Sequence, residues 1–175
     1  TGNGSGNEPS AATAPGTPSD AVRAAVEMQR AIPIYNEHRK RMGYDPISIG
    51  IGVHAEKVIL GIVGEEERRE STVIGKAVNL ASRLEGLTKL YGARIIVSDD
   101  VIDAMGKDAP DHRYLGDAEV KGKGKVPIHE IFAADRTEDV RLKRHTRGFF
   151  ETGVGLFRQG ERLGKKDLLS EAHRY

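Results

Sequence analysis

The sequence predicts an α+β fold, a mostly antiparallel sheet with helices packed against one face of it. Two observations carry this. Helical and strand-like stretches alternate in the order α-β-β-α-β-α-β-β, and the strand-like stretches arrive largely in adjacent pairs with turn residues between them. The 175 residues, 38% of them hydrophobic, are enough for one domain with a moderate core, and nothing repeats internally.

Residues Thr1 to Asp20 are Gly, Ala, Ser, Thr, Pro and Asn with almost no large apolar side chain, so burial cannot offset their ordering entropy and a flexible loop is expected. From Ala21 the composition changes. Val22, Ala25, Met28, Ile32 and Ile34 recur at near-helical spacing behind Ser19 or Asp20 as N-cap, and Gly43 stops the run. Ile47 to Val53 and Val58 to Val63 read as two antiparallel strands. The charged run Glu65 to Glu70 reads as a solvated loop, and Ala77, Leu80, Ala81, Leu84 and Leu87 then mark a second helix ending near Gly92. Arg94 to Ser98 follows as a strand and Val101 to Met105 as a short helix. Tyr114 to Lys121 and Val126 to Ala133 complete the sheet, with Gly122-Lys-Gly124 as their turn.

The domain is therefore expected over residues 21–134. Residues 135–175 form a polar, basic extension in which Phe149, Phe150, Val154, Leu156 and Phe157 return at roughly helical spacing. Its segment Phe149 to Gly160 loosely resembles the first helix of a tetratricopeptide repeat. One helix cannot show an array, and a plain amphipathic helix is the preferred reading.

The composition narrows the classes of function. Lys plus Arg number 27 against 26 Asp plus Glu, which gives no whole-chain argument for nucleic acid or acidic membranes, so an anion site must be local. The absence of cysteine removes disulfides and thiolate metal sites and fits a reducing, cytoplasmic setting. No apolar run approaches the roughly 20 residues that span a bilayer, and no signal-peptide order is present. His54, His112 and His129 lack paired metal-ligand spacing and read as structural or surface residues. Neither a Walker sequence nor a Gly-x-Ser-x-Gly elbow appears.

The stretch Ser71-Thr-Val-Ile-Gly-Lys-Ala-Val-Asn-Leu-Ala-Ser-Arg-Leu-Glu85 resembles the signature of the class III adenylate and guanylate cyclases. The resemblance extends to Ile49-Gly-Ile-Gly-Val-His54 and Val58-Ile-Leu-Gly-Ile-Val-Gly64 upstream, and to Val120-Lys-Gly-Lys-Gly-Lys125 downstream, covering about Asp20 to Ala134. It implies a ferredoxin-like cyclase domain of the bacterial adenylate cyclase branch, represented here by its C-terminal part.

Asn79 and Arg83 stand four apart, so on a helix they share a face and can converge on one ligand. The guanidinium fork suits phosphate oxygens, and the amide both donates and accepts. On spacing alone such a pair is an ordinary solvated face; the resemblance gives it the stabilisation of the transition state. It likewise places Thr72 at the purine base, where threonine resembles the adenylate cyclase branch, although its hydroxyl could also be a strand threonine and does not alone fix the base. Lys121 corresponds to the lysine on the polyphosphate, in a lysine-glycine turn that would otherwise be a solvated hairpin tip. Lys123 and Lys125 are left in that solvated class.

The resemblance further implies ATP as substrate, cyclic AMP and pyrophosphate as products, a head-to-tail homodimer, and two Mg2+ or Mn2+ ions held by two aspartates on an early strand and hairpin. Neither aspartate motif occurs in this sequence, nor does the base-recognition lysine beside the second, and the chain alone is expected to be inactive. Glu56 stands where glycine is frequent, and Lys76 where an acidic or amide residue is usual. The rival expectation is a non-catalytic cyclase-like module that binds nucleotide or lends its helix face to another subunit.

Overall fold

The structure is a computed structural model that describes residues 16–56, 67–120 and 124–172, with backbone only at 67–76 and 120. Helix α1 spans Pro18–Arg41 and begins earlier than its periodicity indicates, because Thr17 rather than Ser19 or Asp20 is the N-cap. The Thr17 hydroxyl accepts from the Asp20 amide at 3.2 Å and the Asp20 carboxylate accepts from the Thr17 amide at 3.0 Å, with Pro18 in the first turn, where its missing N–H costs nothing. The helix buries Val22, Ala25, Val26 and Gln29, a stripe at helical spacing. Beyond it, Gly43 takes φ 79°, which favours glycine.

Strand β1 is limited to Ile51–Val53, shorter than the apolar alternation from Ile47 implies. Side chains of α1 hold the residues before it instead. The Asn36 amide donates to the Ile47 carbonyl and accepts from its N–H, both at 2.8 Å, and Gln29 Nε2 donates to the Ile49 carbonyl at 2.8 Å. The expected partner strand, Val58 to Val63, lies outside the described residues.

Helix α2 spans Glu67–Tyr91, and β2 (Ile95–Ser98) runs directly into α3 (Asp99–Met105). Strands β3 (His112–Val120) and β4 (Gly124–Ile131) form an antiparallel hairpin with a register shift between Tyr114 and Gly116. The four strands are ordered β1-β2-β4-β3, antiparallel except that β1 and β2 are parallel.

Helices cover both faces of this sheet, not one. Ile95 and Val97 pack with Val22, Val26, Val101 and Met105 of α1 and α3. Ile96, Leu115 and Ile128 pack with Leu80 and Leu84 of α2, and Phe150 of a later helix joins them. The physical reason is the central position of β2, whose residues are all buried: alternate side chains of Ile95-Ile96-Val97 enter opposite cores.

Helix α4 spans Thr137–Leu163 and lies on this second face, followed by α5 (Lys166–Ala172). Its attachment is ionic as well as apolar. Glu130 is 2% exposed and accepts from Arg113 Nε at 2.7 Å and from Lys143 Nζ at 2.5 Å, while Lys143 also reaches Asp135 at 2.6 Å. Arg144 forms a two-pronged pair with Asp111 at 2.7 and 2.5 Å and holds that carboxyl below its ordinary range. Glu151 accepts from the Tyr114 amide at 2.9 Å, and Arg158 pairs with Asp117. Helix α5 folds back where Gly164 turns at φ 63°, and Leu169 packs on Gly160 so closely that an added Cβ there would stand 2.8 Å from it.

Candidate functional site

Helix α2 carries the candidate pair Asn79 and Arg83. Its buried side, Leu80 and Leu84 with Thr88, faces the sheet, which leaves Asn79 and Arg83 exposed together on the outer side one turn apart. Among the described residues neither makes a side-chain hydrogen bond or ion pair, so the amide and the guanidinium both keep their full donor capacity. Val78, 60% exposed, sits beside them.

The seat of α2 explains how that face is held. Gly50 and Gly52 are the β1-side residues beneath the helix. A Cβ at Gly52 would lie 2.1 Å from the Ala81 carbonyl oxygen and 2.4 Å from the Glu85 amide nitrogen, and one at Gly50 would lie 2.0 Å from Thr88 Oγ1. Only glycine allows helix backbone and strand backbone to approach so closely. In the sequence this Gly-x-Gly is only part of a motif, and its mechanical role appears in the fold; glycines alternating with β-branched residues in a strand are the available signal.

Thr72 lies within α2, not in a strand, because the helix extends back through the charged run expected to be a loop; Glu67, Arg68, Arg69 and Glu70 are good helix formers. Its backbone is two turns before Asn79, a rise of about 10 Å. Lys121 lies outside the described residues, between the ends of β3 at Val120 and β4 at Gly124.

The three histidines are engaged elsewhere in the fold. His54 Nδ1 meets Ser98 Oγ at 2.8 Å, His112 Nδ1 meets the Pro110 carbonyl at 2.8 Å, and His129 Nε2 meets Asp99 at 2.8 Å. Burial pushes His129 below its ordinary pKa despite Asp99, and its Nδ1 is enclosed with no hydrogen-bond partner. Burial, reinforced by Asp117, pushes the Tyr114 hydroxyl well above its ordinary value. Among the described residues no group of three or more His, Asp or Glu is gathered to hold a metal ion. These residues therefore do not fit the implied divalent-cation site. No helix among them is long and apolar enough to cross a membrane.

The fold is thus an α+β sheet with an amide and a guanidinium one turn apart on an exposed helix face, both open to solvent. The chain belongs to the adenylate and guanylate cyclase catalytic domain family, whose sequence model matches residues 11–133. It is 42% identical over 120 residues to an adenylate cyclase of Anabaena cylindrica, covering 65% of this chain and 24% of the relative. It is 34% identical over 143 residues to the terminal-differentiation specific adenylate cyclase of Dictyostelium discoideum, covering 80% of this chain and 7% of the relative. With adenylate cyclase 1 of Rhizobium meliloti it shares 33% identity over 117 residues, 66% of this chain and 17% of that one. The chain thus spans about a quarter or less of the length of these relatives. No solved structure matches it.

Proposed function

We propose that this chain is the part of an adenylate cyclase catalytic domain that presents the transition-state face to ATP, in a reaction yielding cyclic AMP and pyrophosphate. The observation that carries the reading is the exposed Asn79–Arg83 pair on α2, inside a family match of residues 11–133. Adenine as the base is supported by the relatives, whose names are those of adenylate cyclases.

In this reading the 3′-hydroxyl oxygen bonds to the α-phosphorus as the bond from that phosphorus to the oxygen bridging to the β-phosphate breaks; pyrophosphate leaves with that oxygen and the hydroxyl proton passes to solvent. Charge builds on the phosphoryl oxygens as the bonds exchange, and the Arg83 fork donates to them where it would gain little from the ground state. Asn79 holds the ribose by its amide and so fixes the attacking oxygen in line. Thr72 offers a hydroxyl to the purine edge, and Lys121 supplies a mobile positive charge to the polyphosphate.

In the complete protein a head-to-tail homodimer, with the carboxylates for the metal coming from one subunit and the α2 face from the other, accounts for a pair that is left open to solvent. The setting is cytoplasmic in this reading, where ATP is available. The test is product formation from ATP and from GTP, with Mg2+ or Mn2+, by a polypeptide joining this chain to the strand and hairpin that carry the metal carboxylates. Cyclic AMP in excess over cyclic GMP is expected. Cyclic GMP in excess would overturn the assignment of the base, and no product from either would favour a nucleotide-binding module without turnover.

A further inference from the structure

A cleft of about 880 Å3 opens between α4, the β3–β4 hairpin and the C-terminal end of α2. Asn79 and Arg83 do not line it. One wall is apolar: Leu115 and Phe150 reach it from the second core, and Val154 and Phe157 continue it along α4. Tyr91 and Phe157 are 39% and 44% exposed, so much of their ring surface has no protein covering. The backbone makes the space. The β3 register shift sits at Leu115, and the neighbouring Gly116, at φ 117°, contributes no side chain to the wall; Gly155 contributes none on the α4 side.

The charges are uneven. Arg158 and Asp117 neutralise one another as a pair. Lys125 and Arg162 are exposed and make no ion pair among the described residues, against Glu161 as the remaining carboxylate of the described lining. The cleft thus offers an apolar, partly aromatic wall with one positive charge in excess at its rim, in the size range of small-molecule sites, about 300–1,000 Å3.

We propose that this cleft binds an amphipathic organic anion, its apolar body lying against Leu115, Phe150, Val154 and Phe157 and its anionic group between Lys125 and Arg162. Apolar contact supplies the affinity and the two cations select the sign of the head group. Tyr91 belongs to the helix that carries Asn79 and Arg83, and Lys125 to strand β4. A ligand seated here therefore touches the C-terminal end of the helix that carries the proposed nucleotide site, although its binding stands independently of that function.

The test is titration calorimetry of the full chain with laurate, with dodecyltrimethylammonium as the control of opposite charge. Laurate is expected to occupy one saturable site with a Kd below about 100 μM, and the cation to bind at least about tenfold more weakly. Two variants locate the site. The double variant Lys125→Glu and Arg162→Glu, both at exposed positions, should weaken laurate by about tenfold. Gly155→Phe, at a position where a Cβ meets nothing within 4 Å, should fill the cleft and abolish binding without unfolding the helix. Absence of saturation at about 1 mM, equal affinity for the two probes, or unchanged laurate binding by both variants would each overturn the proposal.

Discussion

At Gly52 a Cβ would stand 2.1 Å from the Ala81 carbonyl oxygen, 2.4 Å from the Glu85 amide nitrogen and 3.0 Å from the Leu84 carbonyl carbon. All three are helix backbone atoms, which cannot swing aside as the end of a side chain can. Ordinary contact begins near 3.4 Å, so Gly52→Ala requires α2 to retreat from the sheet by about 1.3 Å. That retreat draws Leu80 and Leu84, 2% and 0% exposed, partly out of the second core. Overpacking of a core costs about 1–3 kcal/mol, and backbone against backbone belongs at the upper end, about 3 kcal/mol. For a chain of this size that lowers Tm by roughly 6–12 °C. The control is Gly148→Ala on α4, where a Cβ meets nothing within 4 Å and replacing a helix-interior glycine should raise stability by about 0.5–1 kcal/mol. The same chemical change thus has opposite signs at the two sites. Thermal melts followed by circular dichroism read both, and a Gly52→Ala melt within about 2 °C of the parent would refute the account of how α2 is seated. In a catalytically complete polypeptide, the displacement also carries Asn79 and Arg83 about 1 Å from their places, enough to cost about 100-fold in turnover.

Three further outcomes follow from the packing of α4 and the sheet. Glu130→Gln should destabilise the chain by about 3 kcal/mol, because it leaves the part-buried cations Arg113 and Lys143 without their shared carboxylate; denaturant unfolding with an unchanged midpoint would contradict this. Removing residues 136–175 should lower stability and raise amide exchange in β3 and β4, since it takes Phe150 from the second core and Lys143 from Glu130; exchange in β3 and β4 identical to the full chain would show that α4 is no part of the domain. The third concerns pH. Burial depresses the folded-state pKa of His129 below its unfolded value near 6.5, so its contribution is fully present above about pH 6.5 and is lost as pH falls through the folded value. Melting temperature should fall on acidification from pH 7 toward 5, and His129→Gln should flatten that slope; an identical slope in the variant would contradict the assignment.

The local elements were legible where a period or a turn residue announced them. The α1 stripe, the glycine that ends it and the β3–β4 hairpin all come from patterns a few residues long. The start of α1 lies earlier than its periodicity indicates because Pro18, which has loop composition, is held in the first turn by the Thr17 cap. Charged residues 67–70 read as a loop because a solvated helix end and a solvated turn have the same composition. Helices on both faces escaped the sequence because Ile95-Ile96-Val97 is apolar throughout and so shows no alternation from which to count faces. The α4 attachment escaped it too: Lys143 and Arg144 find partners at Glu130 and Asp111, a match set by the fold and not by spacing along the chain. For the candidate site, the shared face of Asn79 and Arg83 was readable from their separation of four, whereas their chemistry came from the surrounding motif. The role of the glycines that seat the helix lies in the fold alone, where a Cβ at Gly52 would stand 2.1 Å from the Ala81 carbonyl oxygen.

The most direct test of the central claim is the rate of cyclic AMP formation from ATP by Arg83→Ala, compared with its parent, in the polypeptide that includes the metal carboxylates. Arg83 is exposed, so the fold and Tm should be retained, while kcat falls by about 100- to 1,000-fold with KM for ATP changed far less, as expected when a donor acts mainly in the transition state. A variant that folds and turns over ATP at the parental rate would contradict the assignment of the α2 face as the catalytic surface.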